Sequence, residues 1–128
     1  MFATDTTQRS LCEVLTYDFV PADFNGQNDL IIYNATAPAL QIIDASIIIS
    51  TAEGAPDTCA LFTAANGGGN RRSGDISVNA VGKNRQAAST PTFTNRCLGA
   101  GGSLYLHGSG PVANAIGTLV ILARRNAV

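Results

Sequence analysis

His107 is the only histidine of the chain, and with Cys12, Cys59 and Cys97 it forms the set of side chains best suited to nucleophilic or metal chemistry. An imidazole becomes half of a catalytic pair when a thiol or hydroxyl stands beside it, so Cys97 or a serine is the partner to seek. The sequence offers no third member to orient the ring and no nucleophile elbow, so no catalytic residue is expected and the chain reads as a non-enzyme. The cysteines show no CxxC pairing, and one histidine does not complete a recognisable tetrahedral set, so neither a metal ligand nor a cofactor is expected. Their odd number and wide spacing fit free buried thiols, with one disulfide plus one thiol as the alternative.

Other chemical signals are weaker. Gly67, Gly68 and Gly69 lack the GxxxxGK[ST] frame of a phosphate loop, and Gly82-Lys83 is followed by Asn84, so both read as surface turns. Asp18, Asp23 and Asp29 lie close in sequence but lack the dense oxygen-ligand pattern of a calcium loop. Asn34-Ala35-Thr36 is a formal glycosylation sequon, read as chance because the start of the chain lacks a basic-then-apolar leader.

The elements that would position these residues are strands. Leu11 to Val20 alternates, with Leu11, Leu15, Tyr17 and Phe19 on one side and Glu13 as the exception. Pro21 stops it, and Asn25-Gly26 is a turn signal. Leu30 to Tyr33 reads as a short strand buried on both faces. Leu40 to Thr51 places Gln41, Ile43, Ala45, Ile47 and Ile49 on one side and Asp44, Ser46 and Ser50 on the other. Its consecutive isoleucines favour strand, because β-branched side chains lose freedom in a helix and fit a pleated surface.

Cys59 to Thr63 is the next strand, followed by an irregular loop over 66–74. Ile76, Val78 and Ala80 alternate with polar residues, and 81–86 leads into a polar connection. Thr92 to Leu98, Leu104 to His107 and Ile116 to Ala123 complete about eight strands, spaced by roughly 8–12 residues and Gly/Pro/Asn turns. That spacing is the signature of an all-β antiparallel sandwich, here expected to be jelly-roll-like. Residues 1–9 read as a flexible polar arm carrying Phe2, and 10–128 as one domain.

Composition sets the partners. Of 128 residues, 45% are hydrophobic and only 13% charged, with net charge −1 and Lys83 the sole lysine. The charged share is about half the ~25% of an average soluble protein. There is no basic field for nucleic acid, no polybasic cluster for a membrane surface, and no run of the ~18 apolar residues that spans a bilayer. Sheet proteins usually defend exposed edges with lysines. A chain with one lysine is expected to close its edges, cover them, or pair them with another subunit, and a homo-oligomer satisfies this simply.

A short all-β chain of this kind, poor in lysine, rich in Ala, Gly, Thr and Asn, and ending in the apolar run Gly117 to Ala123, resembles the small accessory proteins of tailed-bacteriophage virions. In style it is most similar to capsid decoration (cement) proteins. The resemblance implies a homo-oligomer, with a trimer favoured, that clamps the joints between capsomers. Its partner would be the major capsid protein and its location the capsid surface, after synthesis in the host cytoplasm. Phe2 of the arm and Asn70, Arg71 and Arg72 of the glycine loop are the expected contacts. The alternative is a receptor- or glycan-binding module in which Tyr17, Tyr33 or Tyr105 stacks on sugar rings.

Overall fold

A computed structural model describes residues 11–24, 29–34, 40–87, 97–98 and 102–125. The 1–9 arm with Phe2, and residues 92–96 of an expected strand, lie outside the described residues.

Among the described residues the chain forms nine strands: β1 (Leu11–Phe19), β2 (Asp29–Asn34), β3 (Leu40–Thr51), β4 (Thr58–Phe62), β5 (Ile76–Ser77), β6 (Gly82–Arg85), β7 (Cys97–Leu98), β8 (Ser103–Gly108) and β9 (Ile116–Arg125). All pairings are antiparallel and most are nested. β1 pairs with β9, β2 with β8, β3 with β6 and β4 with β5, as if one long hairpin were zipped from its ends inward. Two further pairings, β3 with β9 and β4 with β8, join these hairpins into two sheets. One sheet runs β1-β9-β3-β6 with β7 also against β3; the other runs β2-β8-β4-β5. The chain is therefore the all-β antiparallel sandwich that its turn spacing indicated.

Alternation builds the core between the sheets. β9 turns Leu119, Ile121 and Ala123 inward, and β3 supplies Ile42, Ala45, Ile47 and Ile49. From the second sheet come Leu61, Ile76, Leu104 and Leu106. Each such aliphatic side chain contributes about 1.5–3 kcal/mol on burial. Phe19 meets Phe24 edge-to-face at 5.5 Å and closes one end. Gly117 sits where β9 crosses β3 so closely that a Cβ would collide with the Ile48 carbonyl, so this position admits glycine only.

Three local expectations are corrected. In β3 the register against β9 jumps between Ile42 and Asp44, so Ile43 is an extra residue in a bulge. Ile42, not Ile43, joins the inward set, because the bulge resets the alternation that a flat strand would keep. In β2 the same kind of jump makes Ile32 the inserted residue, and Ile31 is exposed rather than buried on both faces. The polar stretch at 81–86 is not only a connection: Gly82–Arg85 forms β6, made a strand by pairing with the isoleucines of β3.

A buried carboxylate fastens one end of the sandwich. Glu53 accepts the backbone N–H groups of Ala113, Asn114 and Ala115 at 3.0, 3.0 and 3.1 Å, and the Asn114 side-chain amide at 3.2 Å. Burial pushes the Glu53 carboxyl up, but these donors together outweigh it and hold the group below its ordinary value.

Candidate functional surface

Two places could carry function, one on the outer face of each sheet. The first is built on β8 and β2. His107 and Asp29 are directly opposite in the register, both turned away from the core. The loop after β4 then folds over them. It makes a 3-10 turn at Ala65–Gly67 with Asn66 and Gly67 in the left-handed region, φ 61° and 68°. Glycine is favoured at 67 by its positive φ, and a Cβ there would lie 3.1 Å from the His107 ring, which would have to give way.

Asp29, only 1% exposed, accepts the Asn66 N–H at 2.6 Å and lies 2.6 Å from His107 Nδ1. A carboxylate oxygen accepts from an N–H, so the pairing engages Nδ1 as the donor and leaves Nε2 as the ring nitrogen outside the pair. Phe62 meets the imidazole edge-to-face at 5.8 Å and carries the Arg71 guanidinium 5.1 Å over its own ring. Arg71 is ion-paired with Asp75 at 2.8 Å. Thr58, Phe62, Arg71, Asp75, His107 and Ser109 line a cavity of about 60 Å³. That is room for a few waters or one small polar group.

Sequence reasoning supplied no orienting partner for His107; the structure supplies Asp29, 78 positions away. Only the pairing of β2 with β8 brings them together, so no local spacing signals it. Among the described residues no hydroxyl or thiol hydrogen-bonds to Nε2. Ser109 Oγ instead accepts the Thr58 N–H at 3.0 Å. The ring is thus oriented as a base would be, without a nucleophile in its grip.

The remaining expected site residues are dispersed. Asn70 is exposed at the tip of the loop and its N–H donates to Thr63 Oγ1 at 2.8 Å. Arg71 is half-buried in the ion pair just described, and Arg72 is buried, with one guanidinium nitrogen donating to the Arg71 carbonyl at 3.2 Å. Cys59 is a free thiol within the core, and burial, helped by the charges of Asp57 and Glu53, pushes it up to about 12. It is therefore an inert thiol rather than a nucleophile. The Cys12, Cys97 and Tyr33 side chains lie outside the described residues. The aspartates separate: Asp18 accepts the Thr118 hydroxyl, Asp23 accepts the Val20 N–H, and Asp29 goes to His107. Among the described residues no group of three or more His, Cys, Asp or Glu is placed to share a metal ion.

The second place is the outer face of the β1-β9-β3-β6 sheet. Val14 and Leu122 lie side by side, as do Thr16, Val120, Ser46 and Arg85, and then Asp18, Thr118, Ile48 and Lys83. Val14 is 60% exposed and Ile48 46%, with Val20, Ile116 and Leu122 also open. At one end Val20, Ile48, Ile116 and the Asp18–Thr118 pair border an open, mainly apolar cleft of about 310 Å³. Charge sits at the flanks and also within the face, where Asp44 of β3 is level with Leu122 and Arg124 of β9 is exposed. Asp18 is on β1, while Lys83 and Arg85 are on β6, Arg85 reaching Asp44 at 3.2 Å. Burial raises Asp44, but bonds from Gln86, the Ala45 N–H and Arg85 prevail and lower it.

No family model, curated protein or solved structure matches this chain.

Proposed function

We propose that this chain is a structural protein of a virion, a homo-oligomeric sandwich that decorates a phage capsid and adds contacts across its subunits. The observation that carries the reading is the outer face of the β1-β9-β3-β6 sheet, which the described residues leave bare. Val14, Val20, Ile48, Ile116 and Leu122 are open on one side of the molecule with small hydroxyl residues between them. Scattered exposed aliphatics are ordinary, but several on one sheet face are the usual mark of a surface that meets other protein.

The strand order supports the same reading. First-with-last pairing through four nested levels, split into sheets β1-β9-β3-β6 and β2-β8-β4-β5, is what a jelly roll would have and supports that finer reading of the sandwich. Jelly rolls serve as viral capsid, lectin and cupin domains, so architecture narrows the class without naming the activity. Repetition on a shell then multiplies a modest contact energy per copy. The capsid contacts would be Phe2 of the arm and the Asn70–Arg72 loop, of which Asn70 is the member most open to a partner.

The test is to mix purified protein with undecorated phage shells and follow sedimentation and heat resistance of the particles. Co-sedimentation with a raised disruption temperature is expected. Shells that neither retain the protein nor gain resistance overturn the role.

A glycan-binding module is the second reading. It draws on Tyr105 and Phe62, neighbours on the outer face of the other sheet, beside the polar cavity at His107. Binding on a glycan array, lost on Tyr105→Ala, would favour it over decoration.

A further inference from the structure

The bare sheet face has a charge layout that selects its own occupant. Asp18, Thr118, Ile48 and Lys83 form one row straight across β1, β9, β3 and β6, with the anion at one flank and the cation at the other. One position past the neighbouring Phe19–Gly117–Ile49–Gly82 row, the apolar cleft beside Val20 and Ile116 lies at the β1 flank. At the β6 flank of that end stands Val81, 70% exposed and the most exposed large apolar side chain among the described residues. Each flank thus lacks what the other offers.

We propose that the occupant of this face is a second copy of the chain, docked sheet-to-sheet about a two-fold axis that runs along the strands between β9 and β3. Such an axis carries β1 of one copy over β6 of its partner. Asp18 then meets Lys83 of the partner subunit, and the Val81 side chain of each copy enters the other's cleft. A two-fold contact is self-complementary by construction, so each pairing occurs twice. The competing axis, across the strands, keeps β6 over β6 and brings the Lys83 and Arg85 flanks of the two copies together, which like charges oppose.

The size suffices. Four strands about 4.8 Å apart and four outward positions about 6.8 Å apart, with side-chain margins, give a face of roughly 500 Å² per copy. Two such faces bury on the order of 1,000 Å², the lower bound for a specific interface. This pairing deepens the oligomeric role proposed above and rests on that reading of the sheet face. It also leaves the Asn70–Arg72 loop, which belongs to the other sheet, free to face a shell.

Sedimentation of the full chain over a concentration series tests the pairing. Dimers, or an even-numbered assembly of dimers, are expected, weakening as salt rises because the flank charges become screened. Asp18→Lys and Lys83→Asp should each loosen the dimer about tenfold or more, as for a charge pair turned repulsive. The double variant should return to within about threefold of the parent, since it restores opposite charges at the same distance. Val81→Asp should leave monomers, because it carries a carboxylate into a mainly apolar cleft that Asp18 and Asp23 already border. Asp18→Asn with Lys83→Gln, which changes charge and little shape, serves if a reversal variant fails to fold. A monomer at all concentrations, a trimer, or a dimer indifferent to these changes overturns the proposal. A monomer that still coats shells removes the pairing and spares the virion role; a charge-dependent dimer that never coats them does the reverse.

Discussion

The two sheets treat their outer faces in opposite ways. On β8 and β4 the chain supplies its own cover. The loop after β4 folds back, and the buried Asp29 pins it to His107 and to the Asn66 N–H. Under it Ala60 is 2% exposed although it points away from the core. On β1, β9 and β3 no loop of the described residues performs that service, and Val14, Ile48 and Leu122 stay open. Both faces come from alternating strands of similar composition. The difference teaches that burial on the first is an internal matter, fixed by polar anchors, whereas on the second the described residues leave the aliphatics open, the feature on which the proposed association rests.

The largest effect that breaks the comparison is a cut into what the sheets share. Leu119→Ala empties a fully buried site between them and should cost about 2–5 kcal/mol, seen as a lower urea midpoint. Both faces should fail together in one transition. A loss below about 1 kcal/mol would mean that the sheets do not form a common core.

The next is Glu53→Ala, expected to cost about 1–3 kcal/mol, because the Ala115 N–H is buried and loses its acceptor while Ala113 and Asn114 are exposed and can turn to water. The pH dependence has a definite sign. Glu53 and Asp44 are held below their ordinary values of 4.5 and 3.8, so the unfolded chain takes up protons first as pH falls. Stability is full above these values and drains away as pH drops through the lowered ones. Thermal melts from pH 6 downward, about four pH steps, should show this loss, and Glu53→Ala should flatten it. A parent protein whose melting temperature does not fall with acid would contradict the bonding seen at Glu53.

Gly67→Ala sharpens the contrast at the covered face alone. It forces an alanine into the left-handed region and against the His107 ring, with an expected cost of about 1–2 kcal/mol. Exchange of the Asn66 amide should speed up by a similar free energy, while amides of β1 and β9 keep their protection. Uniform acceleration would show that the loop is not a separate cover.

The smallest stability effect belongs to the bare face. Val14→Thr and Val81→Thr should change the monomer's unfolding free energy by less than about 0.5 kcal/mol, since both side chains, 60% and 70% exposed, already meet water. The same changes should reduce self-association or shell binding. Losing more than about 1 kcal/mol of monomer stability would show that the chain covers this face after all.

Much of this molecule was legible in its sequence. The alternation and β-branched runs of Leu11 to Val20, Leu40 to Thr51 and Ile116 to Ala123 determined three long strands, and the Gly/Pro/Asn breaks between apolar runs determined an all-β class. These are local properties, since a period of two and a turn residue act within a few positions. The inward set of β3 was half legible, because a bulge adds one residue without leaving a compositional mark. β6 was not legible: Gly82, Lys83, Asn84 and Arg85 have little strand preference, and only the edge of β3 makes them extended. The bond between Asp29 and His107, the grip of Glu53 on residues 113–115, and the row from Asp18 to Lys83 all join distant positions through strand register. Hydrophobic pattern tells a segment which face to bury but not which neighbour it will lie against. That choice is made only when the sheets assemble, and with it were decided which carboxylates are buried and which sheet face the described residues leave open.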